Sequence, residues 1–323
     1  MKAILLTQYG SPDMLQLSEV EKSTPTENQV LVRVRAASVN ALDWRRFTLP
    51  PLLLRLMEGG RRQPRNPRLG VDVAGTVAAV GSQVTGFRPG DQVFGVAPGS
   101  LAEYACNGAS KFALKPGNVS FEAAAAAPVA AITALQGLRD KGQVHSGQKV
   151  LIVGASGGVG TFAVQIAKAY GAEVTAVGSP RNLDMLRSIG ADHVIDYTRH
   201  DFTHSGRRYD LILAVNGYHP LWDYRRALSP EGKCVVAGGS LPQVFQALLL
   251  GPLVSRLGRQ KIGFMGIATT SKADLLVIKE LLEAGKLIPV IDHCYPLSDT
   301  AEAIRYLVEK HARGKVIITV DPD

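Results

Sequence analysis

The chain has 323 residues, 46% of them hydrophobic and 20% charged, with a formal net charge of +8. That length exceeds one comfortable core and suits two domains, and the composition is that of an ordinary globular chain. Three dispersed cysteines, Cys106, Cys234 and Cys294, form no C-x-x-C pair; this argues against a zinc knuckle or disulfide scaffold and for a reducing compartment, read here as the cytoplasm.

The opening MKAILLTQYG has only four apolar residues in a row, too few for a secretory signal. Residues 1–120 then read as short β-rich runs, such as VLVRVR at 30–35, broken by turns at Gly10-Ser11-Pro12, Pro89-Gly90-Asp91 and Pro98-Gly99-Ser100. Such punctuation predicts a small barrel or sandwich. Within this stretch Arg55, Arg61, Arg62, Arg65 and Arg68 are opposed only by Glu58. Without aromatic residues for stacking or a DNA-binding motif, nucleic acid is not expected. A solvated basic loop is the plain reading; an anionic partner, a membrane surface or attraction of a phosphorylated cofactor are the alternatives.

From residue 121 the chain turns alanine-rich and helical, with Pro128 expected to bend or divide the helix. Strands and helices then alternate: strands at 149–153, 174–177, 193–196, 210–215, 234–237 and 262–267, with helices at 158–170 and 182–189. This spacing predicts a parallel sheet with crossover helices, and six strands complete a doubly wound domain. The apolar run 244–254 is interrupted by Gln246, Gly251 and Pro252 and is too short to span a bilayer. After about residue 286 β-type runs at 290–295 and 315–320 flank a helix at 299–310, and this tail is expected to return to the first domain.

Residues 153–160, VGASGGVG, join the first of those strands to its helix. Gly154, Gly157, Gly158 and Gly160, with Ser156 and Val159 between them, suit a pyrophosphate bound by backbone N–H groups at a helix N-terminus. An acidic residue after the next strand would select NAD; the chain instead has GSPRN at 178–182. Ser179 and Arg181 suit a 2′-phosphate, so the cofactor expected is NADPH. The same loop also resembles that of short-chain dehydrogenases, which pair it with Tyr-x-x-x-Lys. The match at Tyr306 and Lys310 lies beyond the sixth strand and reads as a pair on the tail helix.

Taken in order, SVNALDWRR (38–46), GVDVAGTVAAVG (70–81), GFRPGDQVFG (86–95), AAAAAPVAAITALQGL (123–138), the glycine loop, GADHVIDY (190–197) and ARGKVIITV (312–320) resemble the medium-chain dehydrogenase/reductase superfamily, in its zinc-independent quinone oxidoreductase and enone reductase branch. The resemblance spans essentially the whole chain. It implies an α/β fold: a GroES-like β-barrel catalytic domain (1–120 and 287–323), a doubly wound Rossmann domain (121–286) with a six-stranded parallel sheet, and an active site in the cleft between them. Zinc members carry Cys near Asn40 and Gly-His-Glu where this chain has Gly70, Val71 and Asp72. Asp72 alone cannot supply three ligands, so no zinc is expected.

The resemblance implies hydride transfer from NADPH to a quinone or α,β-unsaturated carbonyl, with Asn40 donating to a carbonyl or ribose and Asp43 orienting. Arg45, where relatives often have Lys, would stabilise an oxyanion; a structural salt bridge is the competing reading for Asp43 and Arg45. For the cofactor it implies Thr133 facing the nicotinamide, Ser179, Arg181 and Tyr197 at the adenosine phosphate, and Val215, Gly217, Gly238 and Gly239 along the ribose and nicotinamide. The backbone near Lys315 is also expected to reach the cofactor. A zinc-free alcohol or aldehyde oxidoreductase and a non-catalytic NADPH-binding protein are the other readings. Loops 44–68 and 241–260 are expected to line the cleft; the apolar second one points to a hydrophobic substrate or a subunit contact within a homodimer.

Overall fold

The structure, a computed structural model, describes residues 1–48, 64–256, 258–309 and 312–320. The chain divides into two units: Met1–Val129 with Thr270–Ala284 and Pro289–Asp323, and Ala130–Thr269 with Gly285–Ile288.

In the first unit β1 (Lys2–Leu6) and β2 (Leu15–Glu19) form an antiparallel pair. The long β3 (Gln29–Val39) follows, and its Val30, Val32 and Val34 are buried. After α1 (Ala41–Thr48) the chain reaches residues 49–63; Arg55, Glu58, Arg61 and Arg62 lie there, outside the described residues. Next come β4 (Asp72–Val80), β5 (Gln92–Val96), β6 (Tyr104–Gly108) and β7 (Phe112–Leu114). Val73, Val77, Val93 and Phe112 join the β3 valines in one core, burial being the main force that holds the sheet.

Ser120 begins α2 (Phe121–Ala126) by accepting the Ala123 N–H at 3.2 Å. Pro128 divides the helical stretch as expected, because it cannot donate to the preceding turn. It opens α3 (Pro128–Leu135), where a missing N–H costs nothing. A π-helical segment, Gln136–Gly142, ends at Gln143 with φ 56°.

The second unit holds six parallel strands: β8 (Lys149–Val153), β9 (Glu173–Gly178), β10 (His193–Asp196), β11 (Tyr209–Ala214), β12 (Leu228–Val236) and β13 (Lys261–Phe264). Their order is β10-β9-β8-β11-β12-β13. The chain moves outward from β8 to one edge and then returns to build the other, the doubly wound arrangement the alternation predicts. Helices α4 (Gly158–Ala169), α5 (Leu183–Ser188), α6 (Leu221–Ala227), α7 (Leu241–Leu249) and α8 (Gly251–Arg256) connect the strands. Residues 241–260 are thus largely helical, where the sequence suggests a loop.

The chain then forms α9 (Lys272–Glu283), β14 (Ile291–Pro296), α10 (Thr300–Glu309) and β15 (Lys315–Thr319). The tail returns to the first sheet: β15 pairs antiparallel with β3, and β14 pairs parallel with β15. The compact units part company with the expected boundaries at 121 and 286. Helix α2 packs on β3, β4 and β15, and α9 packs on β7. Asn118 Nδ2 donates to the carbonyls of Leu282 and Glu283, both at 3.3 Å, and the Lys272 ammonium lies 4.6 Å over the Phe87 ring. The change in composition at residue 121 precedes the change of core.

Candidate active site

In the second unit, the glycine loop leaves β8 through Gly154, whose φ of 79° suits glycine. A Cβ at Gly160 would lie 2.2 Å from the Gly154 carbonyl oxygen, so α4 approaches the loop as closely as it does only because residue 160 has no side chain. Gly157 precedes the helix and offers no capping side chain. The helix-terminal N–H groups beside Gly158 and Val159 are thereby left to an anion. Ser156 is half-buried in the same loop.

The ends of the neighbouring strands gather the predicted phosphate residues. Gly178 of β9 is in register with Asp196 of β10, and the Tyr197 N–H donates to the Gly178 carbonyl at 3.3 Å. Tyr197 is 61% exposed there. Ser179 accepts from Asn182 Nδ2 at 3.0 Å, and Arg181 lies exposed in the turn between them. On the other side of β8, the Val215 N–H donates to the Val153 carbonyl at 2.9 Å. A Cβ on Gly238 would come 2.6 Å from the Val215 carbonyl, and one on Gly239 2.8 Å from that of Gly217. Backbone meets backbone along this edge, where a flat nucleotide needs an unobstructed approach. Thr133 lies half-buried on α3.

The first unit holds a buried polar cluster around Asp72, which is 0% exposed. Its Oδ2 accepts from Ser38 Oγ at 2.6 Å and Asn40 Nδ2 at 2.8 Å, and lies 3.3 Å from Lys315 Nζ. Its Oδ1 accepts the Val129 N–H at 2.8 Å, which puts the carboxylate at the start of α3. The Lys315 ammonium, 3% exposed, also donates to Asn40 Oδ1 at 2.7 Å and to the Val39 carbonyl at 3.3 Å. A buried lysine persists only when paired in this way. The Lys315 backbone N–H is bonded to the Val290 carbonyl at 2.8 Å.

Asn40 and Asp43 are both held by hydrogen bonds beside this cluster. Both ends of the Asn40 carboxamide are engaged, with Nδ2 also 3.4 Å from the Ser38 carbonyl. Asp43, three residues on, accepts the Asn40 N–H at 2.8 Å and the Gly70 N–H at 3.1 Å. It thereby caps the first turn of α1. Burial pushes the Asp43 carboxyl up to about 6, against the lowering effect of those two backbone donors. Arg45 lies two residues further along α1, about half a turn on, and is partly buried.

The sequence reading considered Asp72 only as a metal ligand and passed over Ser38. The available signal was period-two: Ser38 and Asn40 close an otherwise apolar strand on one face, and Ser38 is in register with Asp72. Lys315 was out of reach of any local pattern. The Tyr306 hydroxyl donates to Asp292 at 2.9 Å in the first unit, consistent with a tail-helix residue; Lys310 is outside the described residues. His204 contacts Asp201 at 2.8 Å and His200 is exposed. Among the described residues no three His, Cys, Asp or Glu side chains converge as a metal centre requires.

Comparison with known proteins covers nearly the whole chain. Residues 26–137 match the family described as alcohol dehydrogenase GroES-like domain, and residues 189–318 the family described as zinc-binding dehydrogenase. The chain is 37% identical to a 2-methylene-furan-3-one reductase of Solanum lycopersicum over 98% of its own length and 79% of the relative's. It is 34% identical, with the same coverage, to a chloroplastic NADPH-dependent alkenal/one oxidoreductase of Arabidopsis thaliana. The quinone oxidoreductase structure from Coxiella burnetii superposes with a TM-score of 0.87 at 29% identity, covering 99% of both chains. With the barrel, the doubly wound sheet and the glycine loop all in place, the chain belongs to the medium-chain dehydrogenase/reductase superfamily, among its quinone and enone oxidoreductases.

Proposed function

We propose that this chain is a zinc-independent reductase that uses NADPH to reduce a quinone or an α,β-unsaturated carbonyl. The observation that carries the reading is the edge of the parallel sheet. A glycine cradle opens at the end of β8, and Ser179, Arg181 and Tyr197 collect at the ends of β9 and β10. The residues fit the cofactor: the loop offers N–H groups to a pyrophosphate, and a guanidinium and two hydroxyls suit a 2′-phosphate. The names of the relatives, which specify NADPH, alkenals, enones and quinones, point to the same chemistry.

Zinc independence rests on the donor set. One matched family is named for zinc, yet Asp72 is already bound by a hydroxyl, an amide, a backbone N–H and the Lys315 ammonium. A metal there would have to displace a buried cation and find two further ligands.

Bound NADPH supplies the hydride, and negative charge then gathers on the carbonyl oxygen of the acceptor. Arg45 is the residue we assign to stabilise that oxygen, and Asp43 orients it by fastening the first turn of α1. A guanidinium keeps its proton, so the final protonation comes from water. Asn40, Asp72, Ser38 and Lys315 hold the end of β3 from which α1 departs. Val215, Gly217, Gly238 and Gly239 give the ribose and nicotinamide access to backbone, with Thr133 at the nicotinamide.

We assign a homodimer and a hydrophobic substrate. Phe245, Leu248, Leu249 and Leu253 of α7 and α8 are each more than half exposed, an apolar face that a second copy would cover. The unpaired cysteines support a reducing compartment, the cytoplasm, and among the described residues no helix is long and apolar enough to cross a membrane.

NADPH and NADH oxidation over a panel of quinones, enones and aldehydes tests the reading. Turnover of quinones or enones with at least tenfold preference for NADPH, lost in Arg181→Ala, is the expected result. Equal use of NADH would remove the phosphate assignment, and a preference for simple aldehydes would favour the alcohol/aldehyde oxidoreductase reading.

A further inference from the structure

Helix α7 is oriented against its own amphipathicity. Leu241, Phe245, Leu248 and Leu249 face outward, while Gln243 is 1% exposed; a helix on a domain surface ordinarily buries the apolar side. Gln243 is the polar side chain that this orientation turns inward. Its Oε1 accepts the backbone N–H of His219 at 2.9 Å, in the turn that follows β11. Its aliphatic stem lies against Gly239, where an added Cβ would sit 3.4 Å from Gln243 Cγ, in the turn that follows β12. That same Cβ would be 2.8 Å from the Gly217 carbonyl. One buried side chain therefore holds two glycine turns against each other. Both glycines have positive φ, 102° at Gly217 and 106° at Gly239, so neither turn is held by a side chain of its own at these positions.

Below the turns, the His219 ring packs edge-on to Phe202, 4.7 Å between centroids, and to Tyr224, 5.7 Å. Gln243 and Tyr224 are both buried, and the Gln243 side chain also interacts with the Tyr224 hydroxyl. What methionine or leucine would lack is the oxygen that receives His219 N–H.

We propose that Gln243 is a positioning residue for the nicotinamide end of the cofactor. By tying His219 to Gly239 it sets the backbone of residues 215–217 and 238–239, along which the ribose and nicotinamide are placed. The inference rests on the NADPH reading above. It assigns no part to Gln243 at the adenosine phosphate, because Ser179, Arg181 and Tyr197 stand at the ends of β9 and β10, on the other side of β8.

Two ligands separate this role from a general structural one. NADPH and 2′,5′-ADP, which carries only the adenosine phosphate end, are titrated into wild-type protein and into the Gln243→Met and Gln243→Glu variants. Gln243→Met, similar in length but unable to accept a hydrogen bond, is expected to weaken NADPH roughly tenfold and leave 2′,5′-ADP unchanged. Gln243→Glu retains an acceptor for His219 N–H and restores most of the loss. Gly239→Ala, which forces the same two turns apart, reproduces the selective loss. Unchanged NADPH affinity in Gln243→Met, or equal weakening of both ligands, overturns the proposal, as does failure of Gln243→Glu to restore binding. If wild-type protein binds neither ligand, the cofactor reading itself falls; if it binds both and the variants show no selectivity, only the role of Gln243 does.

Discussion

The two functional regions are made of different material. The end of the parallel sheet is shaped by backbone: glycines at 160, 238 and 239 leave space that neighbouring carbonyls occupy, and at Gly154 residue Asn216 approaches as closely. The cluster in the barrel unit is shaped by side chains, with Ser38, Asn40, Asp72 and Lys315 converging from three strands. A backbone site tolerates almost any residue that keeps its path and fails when a Cβ is added. A buried side-chain site fails when one partner is removed, because the remaining charge or donor is left unpaired.

That contrast orders the expected effects. Lys315→Met should be the most damaging change, since it leaves the Asp72 carboxylate buried without its cation. We expect a loss of about 3–5 kcal/mol in urea unfolding. Adding Asp72→Asn to it should recover part of the loss, and strict additivity in that double-mutant cycle would show that the pair is not coupled.

Asp43 gives the next effect, through pH. Its carboxyl is raised from 3.8 to about 6 in the folded protein by burial. The folded state therefore holds this proton more tightly than the unfolded chain. The contribution is fully present below the unfolded value of 3.8 and is lost as pH rises through about 6, on the order of 3 kcal/mol across the window. Unfolding free energy followed from pH 4 to 7 should lose this downward component in Asp43→Asn, whatever constant offset the substitution brings. Parallel profiles for the two proteins would mean that Asp43 is not held as the geometry indicates.

Gly160→Ala tests the backbone site. Its Cβ would collide with the Gly154 carbonyl at 2.2 Å, and the loop must shift to admit it. We expect about a hundredfold loss of NADPH affinity, or about 2.7 kcal/mol, with a smaller change in thermal stability. Retained affinity would show that the close approach of α4 to the loop is not needed for binding.

The same contrast explains what the sequence made legible. The glycine loop stood out because every residue that matters lies within eight positions between a strand and a helix. The six parallel strands and the return of the tail followed from alternation and turn chemistry, which are local. The Asp72 cluster joins residues up to 277 positions apart, and no periodicity connects Lys315 to Ser38. Asp43 could be picked out by motif, but its part in capping α1 needed the position of Gly70. Residues 241–256 misled in the opposite direction: Gly251 and Pro252 look like loop punctuation, yet they begin a short helix, and proline is tolerated in a first turn.

Local pattern along the chain was enough to read a parallel sheet with a nucleotide loop, a β-rich partner unit, and a GSPRN segment suited to a phosphate-bearing cofactor. Those conclusions need only propensity, spacing and the chemistry of short segments. Only the packed fold shows that both ends of the Asn40 carboxamide are committed to the cluster, that a buried lysine lies beside Asp72, and that Gln243 turns inward against two glycine turns. These are properties of packing: whether a polar side chain is free or committed depends on which distant groups reach it once water is gone.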